Sequence, residues 1–295
     1  MLSNEASRRP ATWQRHLRWQ NYVPFLRTYN SHPNRALFVL EHYSELLEGE
    51  ILDVCCGTSL RYFKNALGKR YQGLDIGESY KYDDIADNDS DQSPDHICNI
   101  EREKIPFASQ SFDTVLCIGA LEHLENIHEA CDELFRMARR RVIIQLPNNW
   151  PGFFSSMLVG HNFTHRAGYG LKAYPAKPGQ RHKYFFNLEE ACEFLVGRMP
   201  PGWNLRRLDF SYEKGCDSWF AWSLHRKARS FTYAKGVERF GRNKALTIAL
   251  LRPWFYYPLT TAEWVLGLLI WGWQGKVAYH NITCREIWAI FDRLK

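Results

Sequence analysis

The sequence predicts an α/β fold, in which a largely parallel β-sheet is covered by helices on both faces. Short apolar runs of the kind that form buried strands alternate along the chain with segments whose apolar residues recur every three to four positions, as they do in amphipathic helices. Such an alternation favours a parallel sheet, because each crossover helix returns the chain to the same edge. With 295 residues, of which 45% are hydrophobic, the chain can also build a sizeable core.

Seven strands and three helices are predicted from these patterns. The helices cover residues 34–47, 122–140 and 187–199, each with apolar positions at helical spacing. The strands are expected at residues 50–54, 71–76, 96–100, 112–119, 141–147, 203–212 and 281–294.

Charge and cysteine content bear on the surroundings of the protein. The formal net charge is +6, and basic residues concentrate in residues 8–18, 139–141 and 225–244. These segments indicate either an anionic partner or surface, or simply solvated basic faces. The eight cysteines are scattered and form no metal-binding pattern, so we expect buried thiols and a reducing compartment. Since the first residues contain no apolar signal segment, a cytoplasmic protein is expected.

Two segments have the residue types that a nucleotide-like ligand requires. The string ILDVCCGTS at 51–59 lies where the first predicted strand turns into a helix, and Asp75 closes the second strand, just before Ile76. A turn at the carboxyl end of a parallel strand brings backbone N–H groups close to a ligand, provided that its residues are small. A carboxylate at the end of the next strand can accept both hydroxyls of a ribose. No GxGxxG turn is present, which disfavours NAD.

The longest informative stretch runs from Ile105 to Pro147. It contains the run SFD, an apolar strand that ends at Gly119, and the tripeptide LEH at 121–123. Together with the two upstream segments and Asn99-Ile100-Glu101, it resembles class I S-adenosylmethionine-dependent methyltransferases, in particular the small-molecule group that includes ubiquinone-pathway O-methyltransferases. The matched region covers about 100 residues, from Ile51 to Asn148, with the motifs in the right order.

This resemblance implies a Rossmann-like, seven-stranded sheet whose sixth and seventh strands form a hairpin, and S-adenosylmethionine as the cofactor. In the family, an acidic residue and glycines of the first turn hold the cofactor, and the segment at 99–101 meets the adenine. The cofactor-binding residues implied by the resemblance are Asp53, Cys55, Gly57, Ser59, Asp75, Ile76, Asn99, Ile100, Glu101 and Gly119. Cys55 and Ser59 stand where the family usually has glycine, and a positive φ at such a position costs about 1 kcal/mol or more.

Methyl transfer from a sulfonium is an in-line displacement, so alignment of the reactants supplies much of the acceleration. A base adds about 10²- to 10⁴-fold when the acceptor is a hydroxyl. His123 and His182 are the candidates, although His123 could equally be a packing residue. Glu122 and His123 could offer two metal ligands, but no third is identifiable, so no metal is predicted. The basic segment 181–183 either holds an anionic or polyhydroxyl substrate or is an exposed loop.

The expected domain organisation has three parts. Residues 1–33 form a basic, aromatic helical extension, residues 34–212 and 281–295 form the methyltransferase core, and residues 213–280 form a helical insertion between strands six and seven. Between Pro253 and Trp273 the only charged residue is Glu263. A membrane-crossing helix is disfavoured, because that charge cancels the gain from the apolar residues and a crossing would separate the last strand from its sheet.

The insertion therefore predicts either contact with an anionic membrane surface, with aromatic rings at headgroup depth, or a buried lid or subunit interface. Trp13, Leu17 and Trp19 could add a second membrane contact. The leading hypothesis is O-methylation of an amphiphilic, lipid-linked or glycan acceptor by a cytoplasmic, peripheral membrane enzyme. The alternatives are the same chemistry on a soluble aromatic or sugar metabolite, and a degenerate cofactor-binding subunit without catalysis. Nucleic acid is not an expected partner, and the oligomeric state is left open.

Overall fold

The computed structural model describes residues 13, 29–30, 35–76, 93–150, 183–213, 265, 269, 281 and 284–294. Its helices are α1 (Arg35–His42), α2 (Leu60–Leu67), α3 (Ile127–Met137) and α4 (Leu188–Arg198). The strands are β1 (Tyr29–Asn30), β2 (Ile51–Val54), β3 (Tyr71–Asp75), β4 (His96–Ile97), β5 (Phe112–Ile118), β6 (Ala138–Pro147), β7 (Trp203–Glu213) and β8 (Glu286–Arg293).

These strands form one sheet in the order β1-β7-β8-β6-β5-β2-β3-β4. Within this order, the five strands β6-β5-β2-β3-β4 are all parallel to one another. By contrast, β8 runs antiparallel to both β6 and β7. All seven predicted strands are therefore present, and the predicted hairpin of the last two is confirmed. The two-residue strand β1, which pairs in parallel with β7, was not predicted.

Helices cover both faces of the sheet, as predicted. Buried residues of α1 and α2 pack with one side of the strands, and those of α3 and α4 pack with the other side. β2 is buried along its whole length, as expected of a strand in the middle of a covered parallel sheet. Six of the seven described cysteines are buried and all seven are free thiols, so the expectation of buried thiols is confirmed for them.

The predicted helix 122–140 is wrong at both ends. The backbone carbonyl of Glu122 accepts hydrogen bonds from the N–H groups of Lys183 and Tyr184, at 2.7 and 3.1 Å, so residues 121–123 form a short 3-10 turn instead of a first α-helical turn. The helix starts only at Ile127 and ends at Met137, where the chain passes directly into β6.

Trp13 does not contact a membrane. Its side chain is 1% exposed and lies in the core cluster that includes Leu52, Val54 and Leu121. The predicted membrane contact of this tryptophan is therefore wrong, because its indole fills the protein interior. Leu17 and Trp19 lie outside the described residues.

The insertion begins and ends at the same edge of the sheet. Since β8 is antiparallel to both β6 and β7, β7 ends and β8 begins beside the carboxyl end of β6. Asn148 fixes the returning chain by donating to the carbonyls of Asn281 and Cys284 at 3.0 and 2.9 Å. Apart from Glu213, Val265 and Leu269, the predicted insertion lies outside the described residues. Within the described part of the chain, no helix has the length and apolar character to cross a membrane.

Candidate active site

The turn after β2 meets the end of β3 at the carboxyl edge of the sheet. The N–H groups of Cys55 and Cys56 donate to the carbonyl of Leu74 at 2.8 and 3.2 Å. The N–H of Gly57 donates to Asp75 Oδ2 at 3.2 Å, and that of Ile76 donates to Asp75 Oδ1 at 2.6 Å. The fold therefore brings the two predicted cofactor segments into direct contact.

Cys55 and Ser59, the two replacements of family glycines, differ in backbone conformation. Cys55 has a φ of 57°, in the left-handed region that favours glycine, whereas Ser59 has a φ of −72° and lies in the right-handed helical region. Gly57, between them, has a φ of 46° and faces open space, because a Cβ there would meet no atom of the described chain within 4 Å. The first turn thus keeps the glycine-type geometry at Cys55 and leaves room for a ligand above Gly57.

Asp53 lies beneath this turn. Its side chain is 1% exposed and accepts a hydrogen bond from Tyr71 Oη at 2.8 Å. Burial, helped by the neighbouring Asp75 carboxylate, raises the pKa of Asp53 to about 8, although the hydrogen bond from Tyr71 acts in the opposite direction. The carboxyl group therefore binds β2 to β3, and its predicted contact with the cofactor stays a prediction.

The predicted adenine segment follows β4. Ile100 is buried in the core, and the Asn99 side-chain oxygen accepts the N–H of Glu101 at 3.1 Å. Glu101 pairs with Lys183 Nζ at 2.8 Å and accepts the N–H of Glu125. Burial alone would raise the pKa of Glu101, but these hydrogen bonds lower it overall. Glu101 therefore anchors the segment that starts at Lys183 beside the cofactor edge.

Of the predicted bases, only His123 lies within the described residues, and His182 does not. The His123 ring lies 4.0 Å from the Glu122 carboxylate, measured from Nε2 to Oε1. Glu122 is itself 1% exposed, and burial raises its pKa although His123 and Arg35 act in the opposite direction. Two proton-accepting groups thus lie together in the turn after β5. Among the described residues, no group of three side chains could hold a metal ion.

Three further polar residues at this edge were not predicted from the sequence, namely Arg35, Gln145 and Glu286. Gly119 directly follows β5 and has a φ of 62°, and a Cβ there would lie 2.5 Å from Arg35 Nη1 and 3.1 Å from Gln145 Oε1. Arg35 Nε in turn donates to Glu286 Oε1 at 2.8 Å. The signal that could have found Gln145 is a polar residue inside the apolar run VIIQLP.

Residues 52–144 match the family model described as "Methyltransferase domain". No curated protein matches the chain in sequence. Among solved structures, the chain is similar to the [4+2]-cyclase SpnF, with 13% identity, a TM-score of 0.43, and coverage of 88% of this chain and 80% of that one.

It is also similar to phosphoethanolamine N-methyltransferase 2 from Haemonchus contortus in complex with S-adenosyl-L-methionine. Identity is 13%, the TM-score is 0.44, and 89% of this chain and 53% of that one are covered, so the chain spans about half the length of this relative. Because both TM-scores lie below 0.5, these two structures do not identify the domain, and the family-model match together with the site does.

The matched region and the carboxyl-edge site define a class I methyltransferase domain, close in extent to the stretch predicted from Ile51 to Asn148. The chain therefore contains a methyltransferase domain whose cofactor is S-adenosylmethionine. The residues present fit this cofactor, since the turn is open above Gly57 and the Asp75 carboxylate lies where a ribose would be held.

Proposed function

We propose that the protein O-methylates an amphiphilic acceptor, such as a lipid-linked or glycan-bearing molecule, at the cytoplasmic face of a membrane. The observation that carries this proposal is the position of the insertion. β7 ends at Glu213, and Asn281 lies against Asn148, both at the carboxyl edge of the sheet that also carries Asp75 and Gly57. A molecule bound by the insertion would therefore be presented to the methyl donor.

The composition of the insertion supports the membrane part of the proposal. Its aromatic and apolar run lies next to the basic segment 225–244, a combination typical of interfacial helices on anionic lipid. Val265 and Leu269, one helical turn apart, are 47% and 67% exposed. Two apolar side chains at this spacing lie on the same side of a helix and favour an apolar partner.

Most of the rate acceleration would come from alignment of the acceptor oxygen with the methyl group. When bound, S-adenosylmethionine supplies the methyl group on a sulfonium. The chain's contribution is to hold the ribose at Asp75, to shield the site by the segment that starts at Lys183, and to accept a proton at Glu122 or His123.

A soluble aromatic or sugar acceptor, with the insertion as a lid, is the second candidate. The burial of Trp13 favours it, because one of the eleven tryptophans is already accounted for by core packing and not by membrane contact. The chemistry and the cofactor edge are the same in both cases.

The role of Asp75 can be tested by thermal unfolding with and without the cofactor. At a concentration 100 times its Kd, a ligand stabilises the folded state by about 2.7 kcal/mol. S-adenosylmethionine should raise the Tm of the wild type, and Asp75→Ala should abolish that rise. The control is Asp132→Ala, which removes a half-exposed carboxylate on α3 that pairs with Arg198 and should leave the rise intact. An undiminished rise in Asp75→Ala would exclude the proposed ribose contact.

A further inference from the structure

A cluster of polar side chains lies at the carboxyl ends of β5 and β6, next to the cofactor edge. It comprises Arg35, Glu122, Gln145 and Glu286 around Gly119, and is called here the edge cluster. Gln145 is 0% exposed, and neither its amide oxygen nor its amide nitrogen has a hydrogen-bond partner in the part of the chain that the structure describes. Oε2 of Glu122 likewise has no hydrogen-bond partner among the described residues. Three buried polar atoms of the edge cluster therefore have no hydrogen-bond partner within the described ranges.

Such atoms are unusual in a folded protein. A buried amide without a partner destabilises the folded state, and natural proteins retain one mainly where it has a function. Packing offers no compensation here, because a methionine would fill the same space without the unsatisfied atoms. The unsatisfied amide of Gln145 therefore favours a hydrogen-bonding partner supplied from outside the described chain.

The cluster lies where the acceptor must lie. β5 is the neighbour of β2 in the sheet, on the side opposite β3. Gly119, which follows β5, therefore lies one strand away from the turn at Cys55. Adjacent strands are about 4.8 Å apart. A cofactor whose ribose is held at the end of β3 can therefore extend its reactive end across β2 towards Gly119. The Arg35 side chain is 40% exposed and forms the outer side of the cluster, with Gln145 and Glu122 buried beneath it.

The charges of the cluster limit what it can bind. Its one guanidinium is already paired with Glu286, whose other oxygen accepts Ser211 Oγ at 2.6 Å. With two carboxylates and one paired cation, no positive charge is left over for a phosphate or carboxylate headgroup. A bare phenol ring would leave the Gln145 amide unmatched. Carboxylate, amide and guanidinium groups together match a group with several neighbouring hydroxyls, each of which both donates and accepts.

We propose that the edge cluster is the acceptor site and that it takes a neutral polyhydroxyl group of the sugar type, with Gln145 as the specificity residue and Glu122 as the proton acceptor. This inference rests on the proposed function and names the chemistry of its acceptor. Gln145 hydrogen-bonds one hydroxyl, and the adjacent hydroxyl gives its proton to the Glu122 carboxylate. As the bond from oxygen to the methyl carbon forms, the bond from methyl to sulfur breaks and its electron pair stays on sulfur.

The first test is the stability of the protein without an acceptor. Gln145→Met should have a urea midpoint equal to or above that of the wild type, because it removes unsatisfied atoms. The matched control is Gln72→Met, at a glutamine whose Oε1 lies 2.8 Å from His96 Nε2, and its midpoint should fall. A fall for Gln145→Met as large as that for Gln72→Met would show that Gln145 is structural and would overturn the proposal.

The second test uses three probes with the same octyl chain and different heads, namely octyl β-D-glucopyranoside, octyl phosphate and 4-octylphenol. With the protein saturated in S-adenosylhomocysteine and each probe below its micelle concentration, only the glucoside should raise the Tm. Gln145→Met should weaken glucoside binding at least tenfold while the Tm rise with S-adenosylhomocysteine alone persists. Preference for the phosphate or the phenol, or no binding of the glucoside, would overturn the proposal. Failure of the proposed function would instead appear as no response to the cofactor.

The base is tested by labelled methyl transfer to the glucoside. Glu122→Gln keeps the shape of the side chain, so glucoside binding should persist while transfer falls by about 10² to 10⁴. His123→Asn is the matched variant of the neighbouring residue and should reduce transfer less. If transfer depends on His123 and not on Glu122, the assignment of Glu122 is wrong.

Discussion

Cys55 carries the backbone conformation of a glycine in a residue that has a Cβ. The left-handed region costs an L-residue about 1–2 kcal/mol, because the Cβ approaches the following carbonyl oxygen. Strain of this kind persists at sites where the surrounding structure imposes it. Here the N–H groups of Cys55 and Cys56 both bind the carbonyl of Leu74, which fixes the turn against β3.

Alanine and glycine variants at positions 55 and 59 should separate backbone strain from side-chain packing at this turn. At position 55, glycine should be more stable than alanine by about 0.5–1 kcal/mol, because it relieves the left-handed strain. At position 59, where φ is −72°, glycine should be less stable than alanine by a similar amount. Urea unfolding of the four variants measures both differences. Equal signs at the two positions would contradict the φ values described here.

At the residue scale, the sequence predicted the cofactor side of the site better than the proposed acceptor side. Asp75 and Gly57 could be predicted, because the carboxyl ends of adjacent parallel strands must meet. Gln145 and Arg35 could not, because they are 110 positions apart and meet only through the packing of α1 on β6. Pattern analysis gives the direction of a side chain along its own strand, not its partners on other elements.

At the scale of secondary-structure elements, Arg141 of β6 binds both β8 and the turn after α1. This buried side chain donates to Asp292 Oδ1 at 2.7 Å and to the carbonyl of Leu46 at 2.7 Å. Arg206 also donates to Asp292, at 2.8 Å. Removal of Arg141 would leave Asp292 with Arg206 alone and the buried Leu46 carbonyl without this donor, which is more damaging than the loss of a surface pair.

Two neighbouring arginines allow this difference to be measured. Arg141→Ala should lower the free energy of unfolding by about 2 kcal/mol, because the buried Leu46 carbonyl loses its donor while Asp292 keeps only Arg206. Arg140→Ala removes only an exposed pair with Glu48 and should cost less than about 1 kcal/mol. Chemical denaturation of the two variants gives the comparison, and similar losses would contradict a bridging role of Arg141.

Element identities followed from periodicity, whereas several boundaries did not. β6 starts at Ala138, inside the predicted helix, because the basic run at 139–141 has no periodicity that distinguishes a helix end from an edge of a strand. The late start of α3 depends on hydrogen bonds from Lys183 and Tyr184, which are about 60 residues away in the sequence. Two residues of β1 are too few to give a pattern.

For the whole molecule, the proposed contact of the insertion with lipid has a measurable electrostatic part. Interfacial binding combines burial of apolar surface with attraction between basic residues and anionic headgroups, so it should weaken when salt is added or when the lipid charge is removed. The net charge of +6 and the basic segment 225–244 supply the electrostatic part.

Vesicle flotation tests the membrane proposal. The protein should float with vesicles of phosphatidylcholine and phosphatidylserine, and substantially less with phosphatidylcholine alone, because the anionic lipid attracts the basic segment. Replacing Arg226, Lys227 and Arg229 by glutamine should reduce flotation on the anionic vesicles. The matched control is replacement of Arg139 and Arg140, which lie on β6 at the opposite end from Pro147. Protein that remains in the soluble fraction with anionic vesicles would favour the lid.

The antiparallel pairing of β7 and β8 also bears on how such an enzyme can change over evolution. Their register runs from Trp203 opposite Arg293 to Ser211 opposite Glu286, and it is independent of the length of chain between them. Doubling a flexible connection costs only about 0.6 kcal/mol of closure entropy. A duplicated gene could therefore exchange, lengthen or shorten this segment and acquire a new acceptor, while the strands that hold the methyl donor fold as before.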